Sequence, residues 1–328
     1  MEGQSAFVGG LGLGLAGGRP SRVSPRRNRF RPRTTTRMMA PGKDMMADLK
    51  AAVDSIKSNR RENSSGPGSV YLVGTGPGDP SLLTLRAVQL MKTCDVVLYD
   101  RLVSNDIMNF VNPSARMIYV GKEKGFHTRK QEDIHDLLFQ FAEAGGAILR
   151  LKGGDPYIFG RGGEELEYLE KKGIEVTCIP GITAASGIGA ELGIPMTHRG
   201  VATSVRYITG HFREDGDEFE DSFQGAVDKN TTLVIYMGLS NLPKLSEVLL
   251  RHGLPTDTPA VAVERGTMPG QRIVFSEFGD FPQKVEESGL KSPTLLIIGR
   301  VVALSKKWQQ FVAEAETEST PVTEDIAA

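Results

Sequence analysis

Two cysteines and five histidines in 328 residues leave little from which to build a metal centre or a disulfide framework. Cys94 and Cys178 lie at the edge of or inside apolar, strand-like runs, which predicts buried free thiols. The histidines are scattered and no C-x-x-C occurs, so neither a zinc site nor any structural metal is expected. Excess charge is also missing. A formal net charge of −1 argues against a broad nucleic-acid-binding surface. The uncharged stretch Ala6 to Gly18 has six glycines in thirteen residues; it is too short to span a bilayer and lacks the positive flank of a secretory core. The dinucleotide fingerprint G-x-G-x-x-G is absent as well. Gly74-Thr75-Gly76-Pro77-Gly78-Asp79 has the spacing G-x-G-x-G, Pro77 lacks an N–H for cradling a pyrophosphate, and no Walker lysine-serine pair follows. This disfavours NAD and ATP.

What charge there is sits unevenly. Residues 1–43 hold eight arginines, one lysine and a single acid, Glu2, among Ser, Thr, Gly and Pro. That is the composition of an organelle transit peptide; the alternative is a basic arm for RNA or membrane. Ser5-Ala6-Phe7-Val8 resembles the start of some algal plastid transit peptides, so a chloroplast address is expected, with the mitochondrion as second choice. From Glu314 onward the last fifteen residues carry five acids and no base, which predicts an acidic tail over 309–328. Met45, Met46, Leu49, Val53 and Ile56 have helical spacing and predict a short amphipathic helix within 44–69, ahead of the polar linker Glu62 to Ser69. Folded structure is expected to begin near Val70.

From there, short apolar runs alternate with helix-like segments. Val70 to Val73, Val96 to Tyr99, Met117 to Val120, Ala147 to Leu151 and Val176 to Ile179 read as strands, and each ends in a glycine-bearing or polar motif. Such alternation predicts an α/β fold with a largely parallel sheet, in which ligands bind outside the carboxyl ends of the strands. A second series (Val205 to Thr209, Thr232 to Met237, Ala260 to Val263, Arg272 to Phe275, Thr294 to Ile298) predicts another sheet. The expected domains are therefore 70–198 and 199–308. Asp100 and Lys122 lie just past adjacent strands, where they can exchange protons with a ligand or simply pair to fix loop geometry. Glu164 and Glu165 suit the first turn of a helix, where its dipole favours anions. Arg161, beside them, suits an anion contact or a salt bridge equally.

Taken in order, VYLVGTGPGDPSLLTLRA, VVLYDRLVS, VGKEKG, LRLKGGDPYIFGRGGEE, PGITAASG, GIPMTHRG, YMGL and SPTLLIIGRVV closely resemble the uroporphyrinogen-III C-methyltransferases of the tetrapyrrole methylase superfamily, from about Val70 to about Trp308. The resemblance implies a two-domain tetrapyrrole methylase fold, each domain a mixed or mostly parallel sheet flanked by helices, with S-adenosyl-L-methionine in the inter-domain cleft and leaving as S-adenosyl-L-homocysteine. It implies cofactor positions at Pro77, Gly153, Gly154, Asp155, Ile158, Thr183, Ala184, Met237 and Gly266, a proton acceptor at Asp100 and a donor at Lys122, with no metal. It further implies methylation of uroporphyrinogen III at C-2 and C-7 to give precorrin-2 for sirohaem, by a homodimer with neither nucleic acid nor membrane as partner. Arg161, Arg199 and Arg206 are candidates for the substrate's carboxylates, because guanidinium matches carboxylate bidentately. The residues before Val70 are too few for the dehydrogenase and ferrochelatase domain of some bacterial relatives, so the chain is expected to stop at precorrin-2. The competing readings are a methylase of a later corrinoid precursor and a non-catalytic tetrapyrrole-binding protein on the same scaffold.

Overall fold

The computed structural model describes residues 45–59, 66–121, 130–211 and 227–319. The transit-peptide segment 1–43 and Lys122 lie outside the described residues.

The first five strands are β1 (Val70–Gly74), β2 (Val96–Tyr99), β3 (Arg116–Tyr119), β4 (Ile148–Lys152) and β5 (Val176–Ile179). They form one all-parallel sheet in the order β3-β2-β4-β1-β5. Helices α2 (Leu85–Thr93) and α3 (Asn105–Met108) follow β1 and β2, while α4 (Gln131–Glu143) and α5 (Gly162–Glu170) follow β3 and β4. Chain direction explains where they pack. The crossovers β1→β2 and β2→β3 step toward the β3 edge, and β3→β4 and β4→β5 step back toward β5. Right-handed crossovers in opposite directions must place their helices on opposite faces. Accordingly, Ala87, Met91 and Ile107 pack with Val73, Val97 and Leu149 on one face, and Ile134, Leu138, Phe141 and Leu169 pack with Leu72, Leu98 and Ile148 on the other. The amphipathic helix expected before the linker is α1 (Met45–Asn59), with Val53 and Ile56 against that second cluster.

The second sheet is mixed, with order β6-β7-β10-β8-β9: β6 (Ser204–Thr209), β7 (Thr231–Tyr236), β8 (Pro259–Glu264), β9 (Arg272–Glu277) and β10 (Thr294–Ile298). Only β6 and β7 run parallel; the other pairs are antiparallel. One face is covered by α7 (Leu242–Arg251) and α8 (Phe281–Ser288). The other is covered by α6 (Ala184–Leu192) and α9 (Lys306–Ser319).

Two expectations need correction. Ala185, Ile188 and Leu192 of α6 are buried against Val234, Val263 and Ile297 of the second sheet. The boundary between the two cores therefore falls before Ala184 rather than near residue 198. Within the expected tail, residues 309–319 are also not merely solvated: Trp308, Phe311 and Val312, at helical spacing, pack α9 onto the same cluster, and the Trp308 and Phe311 rings lie beside Phe275. Of the two free thiols, Cys94 is buried and Cys178 only half-buried. Burial pushes the Cys94 thiol up to about 12. At pH 8 Cys94 is therefore expected to resist a thiol-specific chromogenic reagent until the protein unfolds, so that native wild type labels no further than the one-thiol Cys94→Ser variant; prompt labelling of two thiols in native wild type would contradict this burial.

Candidate active site

Strand β4 leaves its sheet in the sense opposite to both neighbours, since the helix after β4 lies on one face and those after β1 and β2 on the other. In a doubly wound sheet that reversal opens a crevice at the strands' carboxyl ends. Here it is lined by backbone. Gly76 N donates to Gly154 O (3.1 Å) and Gly154 N to Gly76 O (2.7 Å), tying the ends of β1 and β4 together. Asp155 accepts from Tyr157 N (2.9 Å) through Oδ1 and from Gly181 N (3.0 Å) through Oδ2, which ties β4 to the end of β5. Gly154 has φ +70°, and on the side where a Cβ would stand only Ala184 N comes within 4 Å, at 4.0 Å. A backbone cradle therefore opens toward the start of α6. Thr183 caps that helix by accepting from Ser186 N (3.2 Å).

The second lobe closes on this crevice. Tyr236, at the end of β7, accepts from Ala185 N (3.2 Å) through its hydroxyl, and the Phe159 ring lies against its ring at 5.0 Å, tilted by 46°. Burial pushes the Tyr236 phenol up from its ordinary pKa. Asp79 N donates to Thr267 Oγ1 (3.3 Å), and a Cβ on Gly78 would stand 2.3 Å from Met268 Cγ. The turn after β1 thus rests on the β8–β9 turn. Phe159, Arg161, Met237, Arg265 and Thr267 are non-glycine residues with φ between +50° and +64°. Each costs roughly 1–3 kcal/mol in isolation, and such residues concentrate where a site dictates the backbone. All five belong to the three turns around this crevice.

Beneath the cradle lies an ion network that the sequence reading missed. Arg150 and Lys152 alternate with Leu149 and Leu151 on central β4, and both side chains are only 5% exposed. Glu165 of α5, with no exposure, accepts from Arg150 Nε (3.3 Å) and from Lys152 Nζ through both oxygens (3.0 and 3.1 Å). Gln131 Nε2 donates to the same carboxylate at 3.2 Å. Burial, and then neighbouring Arg150, push the Lys152 ammonium down from its usual value, while Glu165 opposes them. Arg150 Nη2 also reaches Asp100 Oδ2 at 3.1 Å, and Asp100 Oδ1 accepts from Leu102 N at 3.0 Å. Asp100 keeps 22% exposure, so its carboxylate is held from below and open from above. Glu165 is thus not simply a first-turn acid answering a helix dipole. The readable signal was two charges at period two inside a strand predicted to be central.

The expected cofactor positions Pro77, Gly153, Gly154, Asp155, Thr183 and Ala184 all border the crevice. The Pro77 ring packs on α6, where a Cβ on Gly187 would lie 2.6 Å from its Cγ, and a Cβ on Gly153 would lie 2.7 Å from Leu102 Cβ. Ile158 is half-buried in the turn after β4 and donates its N–H to Asp155 O (3.3 Å). Met237 follows Tyr236 and is 52% exposed; Gly266 lies against Ile188 of α6. The three arginines are not gathered into one cluster. Arg161 forms a two-bond pair with Glu164 (2.8 and 2.6 Å) at the exposed start of α5. Arg199 is exposed in the turn before β6. Arg206 is in register with Leu233, and so lies on the sheet face opposite Tyr207 and Tyr236.

This geometry defines a two-lobed α/β protein with a backbone-lined crevice between its lobes. Residues 69–282 match the Tetrapyrrole (Corrin/Porphyrin) Methylases, and the chain belongs to that family. It is 57% identical over 274 residues to the chloroplastic S-adenosyl-L-methionine-dependent uroporphyrinogen III methyltransferase of Arabidopsis thaliana, a match covering 82% of this chain and 74% of that protein. Identity to the siroheme synthase of Thiobacillus denitrificans is 45% over 286 residues, covering 87% of this chain but only 59% of that longer protein. Among solved structures, a uroporphyrin-III C-methyl transferase from Thermus thermophilus complexed with S-adenyl homocysteine superposes with a TM-score of 0.60 at 37% identity, over 72% of this chain and 93% of that one. A cobalt precorrin-4 methyltransferase shares the fold, with a TM-score of 0.63 at 24% identity.

Proposed function

We propose that the chain methylates uroporphyrinogen III at C-2 and C-7 with S-adenosylmethionine, giving precorrin-2 for sirohaem synthesis. The observation that carries this reading is the half-open Asp100 carboxylate at the carboxyl end of β2, in the same strand-end crevice as a glycine cradle that a Cβ would fill. Gly153, Gly154, Asp155, Thr183 and Ala184 would hold S-adenosylmethionine through backbone contacts, with Pro77, Ile158, Met237 and Gly266 shaping the walls. When bound, it supplies an electrophilic methyl group. The protein's own work is alignment and proton handling. Fixing the reacting partners in line is worth about 7–11 kcal/mol in well-oriented intramolecular systems. Asp100 is proposed to accept the proton lost from the methylated macrocycle, and Lys122 to act as donor. Leu102, Tyr157, Phe159, Ile182 and Met237 are exposed apolar side chains; they suit the apolar body of a tetrapyrrole. Arg161 and Arg199 are proposed to meet its carboxylates, with Arg206 the least favoured of the three because of the face it occupies. A homodimer and a plastid address for residues 1–43 belong to the same reading.

The test is anaerobic incubation of protein starting near Ser64 with uroporphyrinogen III and S-adenosylmethionine, followed by absorbance and mass. Two added methyl groups are expected. S-adenosylhomocysteine binding without methylation would move the substrate to another tetrapyrrole, and a folded protein that neither binds nor turns over would sink the enzyme reading. Charge reversal at Arg161 and Arg199 is expected to raise KM for the macrocycle and leave S-adenosylhomocysteine affinity unchanged.

A further inference from the structure

We infer that Glu165 is a positioning residue for Asp100, acting through the Arg150 guanidinium, with Lys152 as the second cation that balances it. The inference rests on the reading of Asp100 as the proton acceptor. Its basis is one continuous chain of contacts: Asp100 Oδ2 to Arg150 Nη2 (3.1 Å), Arg150 Nε to Glu165 Oε1 (3.3 Å), and Glu165 to Lys152 Nζ (3.0 and 3.1 Å). Three of the four groups are almost wholly buried, and only Asp100 reaches the crevice.

The arrangement is directional. A guanidinium on a flexible stem can hold a carboxylate in one orientation only if its own plane is fixed. Here Glu165 fixes Arg150 at Nε and Leu151 O accepts from Nη1 (2.8 Å), which leaves Nη2 aimed at Asp100. A lone Glu165 would leave the two strand cations with one balancing charge, and Asp100 supplies the other. Two cations and two carboxylates therefore compensate within one buried cluster, where an unbalanced charge is costly. Asp100 uses one oxygen on Arg150 and the other on Leu102 N–H, so its orientation toward the crevice is set from both sides. Glu165 touches neither Asp100 nor the crevice surface. Any effect it has on the reaction must travel through Arg150.

The wild-type methylation assay comes first, because an inactive but folded wild type removes the reading of Asp100 and this inference with it. With an active wild type, kcat is measured for Glu165→Gln, Asp100→Asn and the double variant. Glu165→Gln is expected to lower kcat by about 10²-fold, the size of effect that a small misplacement of a reacting group produces. KM for S-adenosylmethionine and affinity for S-adenosylhomocysteine are expected to stay put. The double variant is expected to be no slower than Asp100→Asn alone, because a residue acting through Asp100 has nothing left to orient. Arg150→Lys keeps the charge but cannot span both carboxylates; it is expected to behave like Glu165→Gln and serves in its place if Glu165→Gln does not fold. In cofactor-free protein the carboxyl carbon resonance of Asp100, labelled with carbon-13, is expected to move on Glu165→Gln. Unchanged kcat, fully additive losses, loss of cofactor affinity alongside kcat, or an unmoved Asp100 resonance would each overturn the inference.

Discussion

Replacing Asp100 by asparagine is expected to lower methyl transfer by about 10²–10⁴-fold, the range that a positioned general base contributes. The substitution preserves volume, and the amide oxygen can still accept from Leu102 N or from Arg150. Arg150 and Lys152 also keep Glu165. The fold and the glycine cradle are therefore expected to survive, at a lower melting temperature because the buried cluster loses one of its two balancing carboxylates. The cradle is made of backbone from β1, β4 and the start of α6, none of it held by the Asp100 side chain. What asparagine cannot do is take a proton. Calorimetry with S-adenosylhomocysteine should accordingly give the wild-type affinity, while anaerobic turnover of uroporphyrinogen III collapses. Turnover near the wild-type rate would remove Asp100 from the chemistry and leave it a loop anchor. Loss of binding together with turnover would make it structural.

The first sheet was legible to within a residue or so at each strand because β1, β2 and β4 are buried along most of their length and read as short, mainly apolar runs, interrupted in β4 by Arg150. Met117 to Val120 is observed as Arg116–Tyr119, and Ala147 to Leu151 as Ile148–Lys152. The glycines of the crevice were legible for a related reason: Gly74, Gly153 and Gly154 stand just where those runs stop. Glu165 was not legible as a network member. Its position in a helix's first turn already has a local explanation, and its real partners are 13 and 15 residues away on a strand that α5 happens to cover. The placement of α6 was hidden likewise. Its apolar face fits either sheet, and only the packing of Ala185, Ile188 and Leu192 assigns it to the second. Local pattern finds elements and strand ends, whereas charge pairs and the partner of an amphipathic face are decided by topology.

The crevice also sets a steric limit that a single methyl group tests. Gly181→Ala is expected to destabilise the protein by about 3 kcal/mol, at the upper end of what overpacking a core usually costs. A melting temperature lower by roughly 6–12 °C would follow for a protein of this size. The Cβ would stand 2.2 Å from Gly154 O and 2.8 Å from both Gly74 C and Gly74 Cα. These are backbone atoms of Gly74 at the end of β1 and of Gly154 just past β4, so no rotamer change relieves the contact. Gly154 O is also the acceptor for Gly76 N, and Gly181 N is the donor to Asp155. Pushing the strands apart thus breaks the two ties that shape the cradle, and S-adenosylhomocysteine binding is expected to be lost along with stability. Gly163→Ala is the control. That helical glycine has nothing within 4 Å of where its Cβ would go, and alanine there is expected to be neutral or to stabilise by up to about 1 kcal/mol. Thermal melts and calorimetry on the pair separate the effect of a methyl group in the crevice from that of replacing a glycine. If both variants melt and bind like wild type, the three strand ends are not in the contact that forms the cradle.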